Sequence, residues 1–241
     1  MEPILGGLMK KLLLSGIILL GAGMTLFAGD AAAFVDLGIS KDGSTYAFAE
    51  YGKTDKNFQG YAEIYTVDIA KNDFVNGEVF KTNPSSVTYS KSGKAVYDEL
   101  YEKAAWKLKK YDFKPAATDN LLYLRDDKKT GESEITFKDF EGSTVEQSVF
   151  YNIKLVKTLE GSGNNLYSSF FITLEKKNGD GDVISRNVVG SPDIKRKKVT
   201  DYRIDRIFSD KSGRNLVFVV EKTLSDVNGS SIRYMVETIH L

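Results

Sequence analysis

The sequence predicts a mainly β protein: an antiparallel β-sheet domain with one long amphipathic α-helix at about residues 92–111. Three observations lead there. From Phe34 onward apolar and polar residues alternate with a period of two. The period changes once, to 3.6, between Ser92 and Tyr111. Gly, Asn, Asp and Ser interrupt the alternating runs where turns are needed.

Taken in order, Val35, Leu37 and Ile39 alternate, the turn Lys41-Asp42-Gly43 follows, and Tyr46 and Phe48 resume the pattern. Ile64 to Ile69 is β-branched and aromatic. Ile135 and Phe137 alternate, as do Val149, Tyr151, Ile153 and Leu155, and then Phe170, Ile172 and Leu174. Asn178-Gly179-Asp180-Gly181 has the residues of a type I′ hairpin turn, whose central positions need positive φ, with Val183 and Ile184 opening the return strand. Three further runs close the chain: Tyr202, Ile204 and Phe208; Leu216, Phe218 and Val220; Ile232, Tyr234 and Val236.

In the helical segment Val96, Leu100, Ala104 and Leu108 form one stripe, flanked by Tyr97, Tyr101 and Ala105. Ser92 suits the N-cap, Glu99 and Lys103 are spaced for an i,i+4 pair, and Lys107, Lys109 and Lys110 suit the negative end of the helix dipole. Pro115 prevents continuation. Packing against a sheet explains such a stripe more simply than docking to a partner.

Before Phe34 the chain has the layout of a secretory signal peptide. Met9-Lys10-Lys11 is a basic start, Leu12 to Phe27 an apolar run, and Ala28-Gly29-Asp30-Ala31-Ala32-Ala33 a zone of small residues. The apolar run is shorter than the roughly 20 residues of a membrane-spanning helix. Residues 1–28 are therefore expected to be removed, with cleavage after Ala33 as the other reading, Met9 as the true start and residues 34–241 as one β-rich domain. The expected location is periplasmic or secreted.

The chain has no cysteine, which removes a lipid-modified N-terminal cysteine, disulfides, thiol chemistry and zinc–cysteine sites. Basic and acidic residues balance at 33 each, so no overall field draws in nucleic acid. With 14 Phe and 13 Tyr, an ordinary hydrophobic core can replace disulfides.

The first and last thirds echo one another. Ile39-Ser40-Lys41-Asp42-Gly43, Ala47-Phe48-Ala49-Glu50 and Ile64-Tyr65-Thr66-Val67-Asp68 correspond to Phe208-Ser209-Asp210-Lys211-Ser212-Gly213, Val217 to Glu221 and Arg233 to Glu237. Both read strand, turn, strand, loop, strand, and the two units are expected to lie side by side and close a sheet. The first copy resembles the repeats of TolB-like and WD40-like propellers, although Lys41 stands where those repeats carry proline. That resemblance implies a small or incomplete propeller as the alternative fold.

Phe34-Val35-Asp36-Leu37-Gly38, Tyr51-Gly52, Ala62-Glu63-Ile64-Tyr65 and Asp73-Phe74 also resemble an uncharacterised family of predicted secreted bacterial proteins, found in spirochaetes among others. The resemblance implies export and no catalytic residue.

Candidate chemistry is sparse. His240, the one histidine, is next to last, a poor place for a triad member. Asp42, Glu50, Glu63 and Asp68 offer carboxylate pairs of the kind that hydrolyse glycosides, but a turn explains Asp42 and solvated strand positions explain Glu50 and Glu63. Asn178 to Asp182 lacks the glycine and glutamate positions of an EF-hand, so a hairpin explains it better than calcium. Lys195-Arg196-Lys197-Lys198 is the one dense basic run, read as a solvated loop or edge-strand guard, or as a contact for anionic headgroups or acidic wall polymer. No cofactor, metal or catalytic residue is expected. The expected function is an exported, non-catalytic envelope protein that binds an unknown partner or ligand. The alternatives are a carboxylate-based hydrolase of envelope glycans and a propeller-like scaffold.

Overall fold

The computed structural model describes residues 30–117, 120–126, 134–140, 142–226 and 229–241. The expected signal peptide, residues 1–28, lies outside them. Strands β1 (Ala33–Ile39), β2 (Thr45–Lys53), β3 (Gly60–Asp68) and β4 (Asp73–Thr82) form a first antiparallel sheet in sequence order. Its first turn is set by Asp42, whose carboxylate accepts hydrogen bonds from Ser40 Oγ at 2.6 Å and from the Ser44 backbone N–H at 3.1 Å.

The helix α1 (Gly93–Leu108) follows, extended by a 3-10 turn at Lys109–Tyr111, so the helical segment falls where the periodicity placed it. Ser92 caps it by accepting from Ala95 N at 3.1 Å. Val96, Leu100, Ala104 and Leu108 are all buried against Ala49, Ala62 and Ile64 of the first sheet. One expected pair is not made: Glu99 bonds Lys91 at 2.6 Å, because the chain before the cap brings Lys91 closer than Lys103.

β5 (Leu121–Leu124) begins a second sheet that the chain leaves at once. It builds a third sheet from β6 (Glu134–Lys138), β7 (Val149–Glu160), β8 (Tyr167–Asn178) and β9 (Val183–Lys197) before returning. β10 (Val199–Ser209), β11 (Asn215–Asp226) and β12 (Gly229–His240) then complete the second sheet in the order β12-β11-β10-β5. β4 and β5 have no expectation in the sequence reading, since neither shows clean alternation.

The second sheet is the middle layer. Leu216, Phe218 and Val220 of β11 pack with Ile153, Phe170 and Ile172 of the third sheet. Val217 and Val219 point the other way and pack with Tyr46, Phe48 and Val67 of the first. The stack is thus α1, first sheet, second sheet, third sheet. Four-stranded units recur three times, as blades would, but the described residues form no closed barrel or ring of blades, and the propeller resemblance is not confirmed.

The two echoing units are adjacent but do not close one sheet. β1–β3 and β10–β12 face each other across the core, and Asn215 Nδ2 in the second donates to the Gly43 carbonyl in the first at 2.9 Å. The β8–β9 turn is also not the two-residue I′ form. It spans five residues, with the Asn178 side chain accepting from Asp180 N and Asp182 N and only Gly181 at positive φ. An Asx-type arrangement has displaced the tighter turn.

Candidate functional site

β12 is an edge strand of the middle sheet, and the outer sheets overhang it. A strand edge buried under other layers must satisfy its outward N–H groups without a neighbouring strand. The chain does this residue by residue. Ile232 N–H donates to the Asp30 carbonyl at 2.9 Å, Tyr234 N–H to Glu50 Oε2 at 2.6 Å and Thr238 N–H to Asn72 Oδ1 at 2.7 Å. Between the last two, Val236 N–H points the same way by the alternation of an antiparallel ladder.

Around Val236 the two outer sheets part and leave a groove of about 580 Å³. The first sheet supplies one wall through Tyr65, Phe74 and Lys81. β9 supplies the other through Gly190, Ile194 and Arg196. Lys222, Tyr234, Met235 and Glu237 of β11 and β12 form the floor. Phe74 and Ile194, each about half exposed, frame the mouth. Gly190 has φ +80°, and a Cβ there would lie 3.3 Å from the Glu237 carboxyl, so glycine lets this wall approach the floor closely.

The charged groups of the groove are not equally matched. Lys81 is bonded to Glu63 Oε2 and to Tyr65 Oη, both at 3.1 Å, and Glu63 is also hydrogen-bonded by the Tyr65 hydroxyl. Arg196 lies over the rings of Phe170 and Tyr202, at 5.1 and 6.0 Å, and 3.6 Å from Glu237. Glu237 is pushed above the ordinary carboxyl range by burial, against the pull of its 2.5 Å bond from Asn72 and of Arg196. Lys222 makes no hydrogen bond or ion pair with any described residue. Burial holds its ammonium below the usual lysine range, Glu50 and Glu63 draw it back up, and Arg196 and Lys81 press it further down.

The candidates read from the sequence are dispersed by this arrangement. Lys195, Arg196, Lys197 and Lys198 are not a loop and not one patch: they end the edge strand β9 and bend into β10. Strand alternation turns Arg196 into the groove, while Lys195 points out and pairs with Glu160 at 2.6 Å. Lys197 is exposed, and Lys198 sits at φ +62° with its N–H on the Leu166 carbonyl.

Glu50 and Glu63 are cross-strand partners on one face of the first sheet, but that face is internal. Glu50 is 2 % exposed, which corrects the expectation of a solvated position. Burial raises its pKa, and the Tyr234 N–H opposes the rise. Asp42 holds a turn, and Asp68 pairs with Lys71 at 2.7 Å. His240 ends β12 with Nδ1 2.7 Å from Asn215 Oδ1. Among the described residues no group of His, Cys, Asp and Glu is arranged to hold a metal ion, and no helix is long and apolar enough to cross a membrane.

Sequence reading missed Lys222. The signal was present: it follows Leu216, Phe218 and Val220 in phase, so the strand carries a cation toward the core side.

A family model described as predicted secreted protein (DUF2259) matches residues 47–240. The match takes in Tyr51-Gly52, Ala62 to Tyr65 and Asp73-Phe74, while Phe34 to Gly38 precede it. No curated protein matches the chain.

Proposed function

Because the chain belongs to this family of predicted secreted proteins of unknown function, we propose that it is an exported, non-catalytic binding protein of the bacterial envelope, periplasmic or secreted, whose ligand seats in the groove along β12. One observation carries this reading. The groove joins an apolar mouth to a charged floor, the usual make-up of a small-molecule site, and its volume lies within the common range of roughly 300–1,000 Å³.

The carboxylates support binding over hydrolysis. Glycoside hydrolysis needs two carboxyl groups flanking a bond that substrate can reach. Glu50 is committed to the β12 backbone and Glu63 to Lys81 and Tyr65. Glu50 thereby ties the first sheet to the edge of the second, and Glu63 ties β3 to β4 within the first sheet.

The test uses the purified exported chain incubated with solubilised envelope glycans and small-molecule extract. Retained compounds are read by native mass spectrometry and new reducing ends by chemical assay. The expected result is retention without turnover, lost when Phe74 and Ile194 are both changed to Ala. Turnover abolished by Glu63→Gln would establish the hydrolase instead, and no retained compound would remove the binding reading.

A further inference from the structure

Resting on the groove as the binding site, we propose that its ligand is an amphiphilic organic anion: a ring-shaped body seated between Phe74 and Ile194, with one carboxylate or phosphate group reaching Lys222 and Arg196. The argument begins with the floor. Lys222 is half-buried at the floor of the groove and makes no hydrogen bond or ion pair with any described residue, and an ammonium largely withdrawn from water without a partner is costly. Here the neighbouring acids attract it from a distance, but each bonds another group instead. Glu50 accepts the Tyr234 N–H, Glu63 holds Lys81, and Glu237 is bonded by Asn72 and faces Arg196. The charge on Lys222 is therefore left for something that enters the groove.

The next consideration is what kind of anion. Arg196 stands on the opposite wall with its guanidinium carbon 5.1 Å from the Phe170 ring centre, an acid, Glu237, 3.6 Å away and a side-chain hydrogen bond of 3.2 Å donated to the Ile194 carbonyl. A planar fork and a point charge facing the same space suit an oxyanion with two or three oxygens. Val236 N–H points into the same space and supplies a neutral donor. A polyanion is a poor fit, since Lys81 and Lys71 are spent on Glu63 and Asp68. The ligand's one anionic group must sit at the inner end.

The body follows from the mouth. Phe74 is 49 % and Ile194 53 % exposed, on walls from different sheets. Phe74 stacks on Tyr65 at 5.1 Å and Tyr65 on Phe48 at 4.9 Å, so the aromatic wall is backed and does not fold away. A flat ring with an apolar face, aromatic or sugar, covers it.

Matched probes test the charge separately from the body. The full exported chain is titrated with 4-methylumbelliferyl glucuronide, the corresponding glucoside and 4-methylumbelliferyl phosphate, read by calorimetry. The glucuronide and glucoside differ only at C6, a carboxylate in one and a hydroxymethyl group in the other. The expected result is that an anionic probe binds at least about tenfold tighter than the glucoside, the scale of one charge-assisted contact. Lys222→Met should abolish that preference, Lys222→Arg should keep it, and Phe74→Ala should weaken all three probes alike. Preference for the glucuronide or for the phosphate identifies the head group. Equal binding of anionic and neutral probes, weakened by Phe74→Ala, overturns the anion proposal and leaves the groove as a binding site. Failure of every probe to bind overturns both.

Discussion

Val219→Thr is the sharpest test of the middle sheet. The exchange replaces one methyl with a hydroxyl of nearly the same size, so it probes polarity and not volume. Val219 is 0 % exposed and packs among Tyr46, Phe48 and Val67, on the face of β11 opposite Phe218. Removing one buried methyl forfeits about 0.8 kcal/mol of apolar transfer. Burying a hydroxyl with no partner adds about 1–3 kcal/mol. The sum is about 2–4 kcal/mol, which for a domain of this size lowers Tm by about 4–16 °C. Urea unfolding followed by tryptophan-independent circular dichroism should show a lower midpoint at unchanged slope. Val188→Thr is the control: Val188 is 57 % exposed on β9, and the same exchange there should stay within about 0.5 kcal/mol. If Val219→Thr also costs less than about 0.5 kcal/mol, that face of β11 meets water and the layered arrangement is wrong.

Other perturbations have equally definite signs. Lys222→Met should raise stability at neutral pH by about 1 kcal/mol, measured by thermal melting, because the burial of an ammonium without a hydrogen bond or ion pair outweighs its attraction to Glu50 and Glu63; a lower Tm would mean that the attraction dominates. Glu50 has its folded pKa raised by burial, so its charge weighs against the fold at neutral pH and ceases to do so below the unfolded value of 4.5. Glu50→Gln should therefore be the more stable protein at pH 7, and its advantage should shrink as pH falls toward 4.5; a constant difference across that range refutes the assignment. Asp30→Ala strips Arg233 of its 2.6 Å ion pair and Tyr61 of its 2.9 Å acceptor, and should cost about 2–4 kcal/mol in urea titrations. The exported chain should accordingly retain Asp30, and an intact mass corresponding to a start at Phe34 would contradict this. Gly38→Ala should be poorly tolerated, since φ is +105° and the added Cβ would lie 1.7 Å from the Lys114 carbonyl; near-normal expression and melting would show that the bulge in β1 can relax.

What the sequence shows depends on whether an element's neighbours are local. α1 is legible because its cap, stripe and stop are all written within it, and β7 and β8 because each has one face in water. β11 is only half legible. Leu216, Phe218 and Val220 read as a core face, but Val217 and Val219 are just as buried, and only a second covering sheet explains a run apolar at every position. β5 is four residues long and exists through its pairing with β10, so it has no signature of its own. Glu50 misled for the same reason. In phase with Tyr46 and Phe48, it lies on the buried face, and its acceptor role needs Tyr234, 184 residues away. The basic run at 195–198 shows the converse: charge density along the sequence does not survive a strand, whose alternation separates Arg196 from Lys195.

The groove follows from how the fold ends its middle sheet. A sheet with both faces covered still has edges, and an edge can be paired, charged or covered. At β12 a fifth strand would have satisfied every outward N–H at once and filled the space that is now the groove. Instead the chain uses a backbone carbonyl from Asp30, a carboxylate from Glu50 and an amide from Asn72 at Ile232, Tyr234 and Thr238. Side chains reach from a distance, so the outer sheets are held at a stand-off that strand pairing would not allow. The arrangement buries one charged acceptor, Glu50, and leaves one cation, Lys222, unmatched, both unfavourable against a paired and apolar edge. Stability alone gives no reason for either residue. An edge left open, with a cation on the floor beside it and an aromatic wall above, is the physical basis of the proposed binding site, and an anion seated there would recover the stability it forgoes.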